Sequence, residues 1–182
     1  MSTCRSILIA YGTKAGSTAE IAAFIASLFR EMGAEVDVLP VEQVPDVTPY
    51  CAVILGTATR LGHPLPNVLD FVTTHAHNLA PLPIAYFVVG ITMREDTPEN
   101  RALAAGVLDA LVDIKRPVSE GLFAGKMEYA KLEQPWRFFV SHDKEIDMGE
   151  GDWRDWDAIR AWVEQLAPTF LGIAALPNET IS

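Results

Sequence analysis

The stretch that decides the fold is Ser6-Ile-Leu-Ile-Ala-Tyr11 running directly into Gly12-Thr-Lys-Ala-Gly-Ser-Thr18. Its first half is a short, continuous apolar run of the kind that forms a strand buried on both faces. The second half is a glycine-containing turn, and beyond it the hydrophobic period changes. Ile21, Ile25, Leu28 and Met32 fall at i, i+4, i+7 and i+11, the stripe of one helix face, and Gly33 ends that helix. A buried strand, a tight turn and an amphipathic helix make the opening unit of an α/β protein.

The same alternation continues along the chain. Glu35 to Leu39 alternates like an edge strand and stops at Pro40, and a loop with Pro45 and Pro49 leads to Cys51-Ala-Val-Ile-Leu-Gly56, a third strand. Leu65, Val68, Leu69 and Val72 mark a helix over Leu65 to His75. Pro83-Ile-Ala-Tyr-Phe-Val-Val-Gly90 is the longest strand signal. Thr97-Pro98 starts a helix that Leu103, Val107 and Leu111 carry to about Ile114. Pro117 to Phe123 reads as a fifth strand, and Asp152-Trp-Arg-Asp155 as the cap of a last helix burying Trp156, Ile159, Val163 and Leu166. Trp156 and Trp162 are expected in the core. Strands joined by helix-length crossovers predict a doubly wound, five-stranded parallel sheet in the order 2-1-3-4-5 with helices on both faces. The expectation is one domain over 1–182, with a core of about 6–167 and a C-terminal extension of 168–182. The polar tail from Pro177 is expected to fray.

Composition narrows the function classes. Of 182 residues, 49% are hydrophobic and 21% charged, enough for a packed core. Asp and Glu number 24 against 14 Lys and Arg, a net charge of -10, which leaves no basic patch for nucleic acid and suits a redox partner with a basic face. The two cysteines, Cys4 and Cys51, have neither CxxC nor metal-ligand spacing and read as reduced structural thiols. No metal site is expected. Ile7 to Ala10 is too short for a signal-peptide core and no stretch is long enough to span a bilayer, so a cytoplasmic protein with at most peripheral membrane contact is expected.

In such sheets ligands bind beyond the carboxyl ends of the strands, at the switch in strand order. The loop there, Gly12 to Thr18, offers hydroxyls from Thr13, Ser17 and Thr18, a glycine at Gly16 for close backbone approach, and a helix N-terminus. That set suits a phosphate monoester. A plain tight turn with Ser17 or Thr18 as N-cap accounts for one hydroxyl only. The spacing is one residue short of GxxxxGK[ST] and lacks its lysine, and it is not GxGxxG. Phosphoacceptor receiver domains need acids where Tyr11-Gly12 and Gly56-Thr57 stand.

Tyr11-Gly-Thr-Lys-Ala-Gly-Ser-Thr18 resembles the phosphate loop of flavodoxins, which cradles the phosphate of FMN. Gly56-Thr-Ala-Thr-Arg-Leu-Gly-His63 is similar to the flavin loop of the menaquinone-dependent protoporphyrinogen oxidase branch, and Leu122-Phe-Ala-Gly-Lys126 and Asp152-Trp-Arg-Asp-Trp-Asp157 resemble that branch too. The likeness covers about residues 6 to 167. It departs at Leu61, where that branch often has an aromatic, and over about Glu128 to Gly151, which is acidic and mixed where the branch carries a basic insertion. The resemblance implies an FMN-binding flavodoxin-like redox protein. Its FMN contacts would be Thr13, Lys14, Ala15, Gly16, Ser17, Thr18, Ala58, Thr59, Arg60, Leu61, Gly62, Gly90, Ile91 and Thr92.

Within that reading, Gly62 and Gly90 allow carbonyl flips or close contact at the ring, and Lys14 screens the phosphate. Arg60 either faces the ring's N1–C2=O edge or pairs with a nearby acid at the surface. His63 either donates a proton or turns the chain before Pro64; His75 and His77 are structural. Trp136 or Tyr129 reaches the flavin edge or a partner. Phe170 to Leu176 packs on the domain, makes a homodimer contact or rests on a membrane. Three functions stay open: an oxidoreductase acting on a porphyrinogen or quinone, an electron carrier with a protein redox partner, and a flavin-less binding domain.

Overall fold

The computed structural model describes residues 5–142 and 149–172. Five parallel strands form its centre: β1 (Ser6–Gly12), β2 (Glu35–Pro40), β3 (Ala52–Arg60), β5 (Ile84–Gly90) and β6 (Ser119–Ala124). They are ordered β2-β1-β3-β5-β6, the 2-1-3-4-5 arrangement of the long strands. The intervening β4 (His63–Pro64) is a two-residue strand folded antiparallel onto the end of β3.

Strand parity sorts the core into two layers. Ile7, Ile9, Ile54 and Phe87 face α1 (Ser17–Glu31) and α6 (Trp156–Leu171). Their neighbours Leu8, Ala10, Val53, Leu55, Tyr86 and Val88 face α2 (Pro66–Leu79), α3 (Pro98–Val107) and α4 (Asp109–Ile114). Both faces of the strands are buried, so their sequences read as continuous apolar runs rather than alternating ones. Among the described residues no helix is long and apolar enough to cross a membrane.

Several sequence expectations shift. In α1 the apolar stripe closes on buried Phe29, while Met32 caps the C-terminus and is exposed. The expected single helix over 97–114 breaks at Leu108 into α3 and α4, and its buried side is Ala104, Val107, Leu108 and Leu111, with Leu103 exposed. The fifth long strand starts at Ser119, two residues later than the apolar pattern indicates. In α6, Asp155 caps through a 2.9 Å bond from the Ala158 N–H, and the core aromatic is Trp162. Trp156 lies one turn off that stripe, partly exposed, with its edge against Phe24. Phe170 and Leu171 are buried against α1 and its neighbours and Gly172 caps α6, whereas residues 173–176 of the apolar stretch and the tail from Pro177 lie outside the described residues. Cys51 is disulfide-bonded rather than a free thiol; Cys4, the other cysteine of the chain, lies outside the described residues.

Between β6 and α6 the chain leaves the sheet. This excursion holds β7 (Lys126–Met127), a 3₁₀ turn (Tyr129–Lys131), α5 (Trp136–His142) and β8 (Gly151–Asp152), with β7 and β8 paired antiparallel.

Candidate functional site

The register places Gly12 beside Thr57, Ala58 beside Val89 and Gly90 beside Ala124, so the loops that follow these strands converge on one rim of the sheet. Between them lies a cavity of about 370 Å³, within the range of small-molecule sites. Its wall includes Thr13, Lys14, Ala15, Ser17 and Thr18 after β1, Ala58 to Gly62 at the end of β3 and its turn, and Gly90, Ile91 and Thr92 at the end of β5 and beyond. Of the residues expected there, only Gly16 is off the wall.

Gly16 shapes the loop without lining it. It is the N-cap of α1 at φ 95°, a left-handed conformation that favours glycine, and a Cβ there would touch nothing. Its N–H donates to Thr13 Oγ1 at 3.0 Å, and no side chain caps the helix, which removes the plain Ser/Thr cap reading. The hydroxyls then divide. Ser17 Oγ donates to the Lys126 carbonyl and accepts from the Lys126 N–H, both at 3.1 Å, so it fastens the loop to β7 and is not free for an anion as expected. Thr18 is 1% exposed, and its Oγ1 has no hydrogen-bond partner among the described residues. A buried, unpaired hydroxyl is costly, and here it sits on a cavity wall in the uncapped first turn of a helix.

The second wall is a two-residue hairpin. Leu61 (φ 52°) and Gly62 (φ 77°) both lie in the left-handed region, the signature of a type I′ turn joining β3 to β4. Thr57 anchors it from below: its Oγ1 accepts from the Leu65 N–H at 3.0 Å and donates to the Ala58 carbonyl at 2.8 Å. Leu61 is 74% exposed, a large apolar side chain held in a left-handed conformation at the lip of the cavity. Arg60, on the same wall, has no hydrogen bond or ion pair among the described residues, which sets aside an ordinary surface pair. Its cross-strand partner His63 is exposed and does not line the cavity. Gly90 is extended, and its need is steric: a Cβ would come within 2.5 Å of Thr59 Cγ2.

The excursion supplies a third wall, of which the sequence singles out Trp136 alone: Gly125, Lys126, Met127, Lys131, Leu132, Glu133, Gln134 and Trp136. Of the two aromatics considered at the sequence level, Trp136 lines the cavity and Tyr129 does not. Its cations are paired. Lys126 and Lys131 both bind Glu128, which holds that carboxyl below and the Lys126 ammonium above their ordinary values. Lys14 lies 3.6 Å from Glu133. Arg154, just past β8, bonds Asp152 through Nε at 2.7 Å and contacts Glu20 of α1, with its guanidinium 4.7 Å from the Trp156 ring centre. These hydrogen bonds, Asp152 first, hold Arg154 above its ordinary value, and Arg154 in turn lowers Asp152. Among the described residues no group of His, Cys, Asp or Glu is arranged to hold a metal.

The arrangement can take a flat, largely apolar body that ends in an anion. Over 171 residues the chain is 29% identical to the protoporphyrinogen IX dehydrogenase (quinone) of Escherichia coli strain K12, covering 88% of this chain and 93% of that one. An FMN-bound flavodoxin variant from Fusobacterium nucleatum superposes with a TM-score of 0.58 at 15% identity, covering 93% of this chain and 99% of that one. Oxidised flavodoxin 2 of Bacillus cereus also gives 0.58, at 20% identity and 91% and 99% coverage. A family model for the flavodoxin domain matches residues 8–153, and on that match the chain belongs to the flavodoxin-domain family.

Proposed function

We propose that the cavity binds FMN non-covalently and that the chain is a redox flavoprotein resembling the protoporphyrinogen IX dehydrogenases. The observation that carries this reading is the buried, unpartnered Thr18 hydroxyl on the cavity wall, in the uncapped first turn of α1. A phosphate there would accept from Thr18, from Thr13 and from the free helix N–H groups, with the helix dipole favouring its charge. The rest of the wall fits a tricyclic ring: Ala58, Leu61, Val89, Met127, Leu132 and Trp136 provide apolar contact and exclude water. Lys14 screens the phosphate end, and Arg60 places a fixed positive charge where negative charge on the ring edge would be favoured.

Bound flavin would supply the electron-accepting and electron-donating chemistry; the chain's residues orient it and leave an opening for a second reactant. The kinship with the E. coli dehydrogenase supports a porphyrinogen as donor and a quinone as acceptor. A second reading, a carrier serving a protein partner, draws on the net charge of -10. Titrating the purified protein with FMN and with riboflavin, followed by fluorescence quenching, tests the site. FMN binding well above riboflavin is expected; a folded protein that retains neither overturns the proposal. Incubating the FMN-loaded protein with protoporphyrinogen IX and a soluble quinone then separates the two readings, since turnover is expected only of the dehydrogenase.

A further inference from the structure

Glu20 stands where a phosphate site should not want it. It lies in the first turn of α1, four residues after the Gly16 cap, and a helix turn rises only about 5.4 Å. A carboxylate so near the free N–H groups competes for the same positive dipole end that would hold a phosphate. Its partner comes from 134 positions away: Arg154, whose side chain is 8% exposed, contacts Glu20 on one side and Asp152 on the other. Arg154 is also packed against Trp156, whose ring meets Phe24 of α1 at 5.0 Å between centres. The excursion is thus joined to the start of α1 at two points, here and at the Ser17–Lys126 pair.

Resting on the FMN reading above, we infer that Arg154 is a positioning residue for the phosphate end of the site: it neutralises Glu20 and holds the β7–β8 ribbon against the N-terminus of α1. Without Arg154 the turn carries one further negative charge toward a dianionic ligand, while Ala58, Leu61 and Val89 of the apolar wall belong to β3, its turn and β5, away from the ribbon. A ligand lacking the phosphate does not register that charge. Arg154 therefore governs discrimination between FMN and riboflavin rather than flavin affinity as a whole.

The experiment measures FMN and riboflavin dissociation constants, at low salt and at 1 M salt, for the full chain and four variants. The FMN-to-riboflavin preference should fall by at least about tenfold in Arg154→Met, the order of effect of one unit charge near an anion in partly solvated surroundings. Glu20→Gln/Arg154→Met, which restores the charge balance of the turn, should recover most of the preference, and Arg154→Lys should keep it. Glu20→Gln alone changes only a half-exposed side chain, so it tests the idea even if Arg154→Met fails to fold; its preference for FMN should rise. High salt should shrink every difference. Equal losses for both ligands in Arg154→Met with no recovery in the double variant, or an unchanged preference in Glu20→Gln, would overturn the inference while wild-type FMN binding still stands. Wild-type protein without preference for FMN would bring down the flavin reading itself, and this inference with it.

Discussion

Replacing Thr18 by valine should move the stability of the free protein and its affinity for FMN in opposite directions. Valine keeps the shape of threonine and removes a hydroxyl that is buried and unpartnered among the described residues. Burying such a group without a bond costs about 1–3 kcal/mol, so its removal should return roughly 1 kcal/mol to the ligand-free fold. For a chain of this length that is a rise of about 2–4 °C in melting temperature. With FMN the sign reverses. A hydroxyl bond to a charged acceptor contributes about 1.5–3 kcal/mol, so FMN should bind roughly ten- to 150-fold more weakly, while riboflavin binding is unchanged. Thermal melts without ligand and titrations with both flavins measure the two effects on one preparation. A valine variant that melts lower than wild type and binds FMN as tightly would refute the reasoning, because the hydroxyl would then have a partner inside the fold and none in the ligand.

Leu61→Asn puts the favoured Asn-Gly pair into a turn where both residues are left-handed, and should stabilise the free protein by about 0.5–1 kcal/mol. The same change removes an apolar lip, so riboflavin affinity should drop several-fold; a variant that melts no higher would show that the leucine is unstrained. The Asp152 carboxyl is held below its ordinary value chiefly by its hydrogen bond from Arg154. A group with a depressed folded value adds stability that is complete above about pH 4 and disappears as the pH falls through that lower value. Wild type should therefore lose more melting temperature than Asp152→Asn between pH 5 and pH 3, and parallel curves for the two would discard the pairing as a source of stability.

The fold was legible because its elements are local. Ser6 to Thr18 announces strand, turn and helix within thirteen residues, and the doubly buried strands leave apolar runs that stand out from the helical stripes between them. Helix faces were less legible wherever the apolar spacing offers more positions than the packing buries. Trp156 and Trp162 are both plausible core residues in sequence, and only the packing of α6 against Phe87 and Phe123 selects Trp162. The break at Leu108 was hidden for the same reason, since the apolar spacing runs straight through it.

The site divides along the same line. Sequence alone marked Gly12 to Thr18, the segment Gly56 to His63 and Gly90 to Thr92 as neighbours at one rim, because each is a contiguous segment at a strand end and the sheet order obliges those ends to meet. It could not determine which hydroxyl of the loop is free. Ser17 is occupied by Lys126, 109 positions away, and Thr18 is left unpaired by burial, so both facts belong to tertiary contacts. The excursion wall and the Arg154–Glu20 contact likewise arise where distant segments meet. Periodicity reports what one segment buries; it carries no record of which remote backbone or charge will be waiting there.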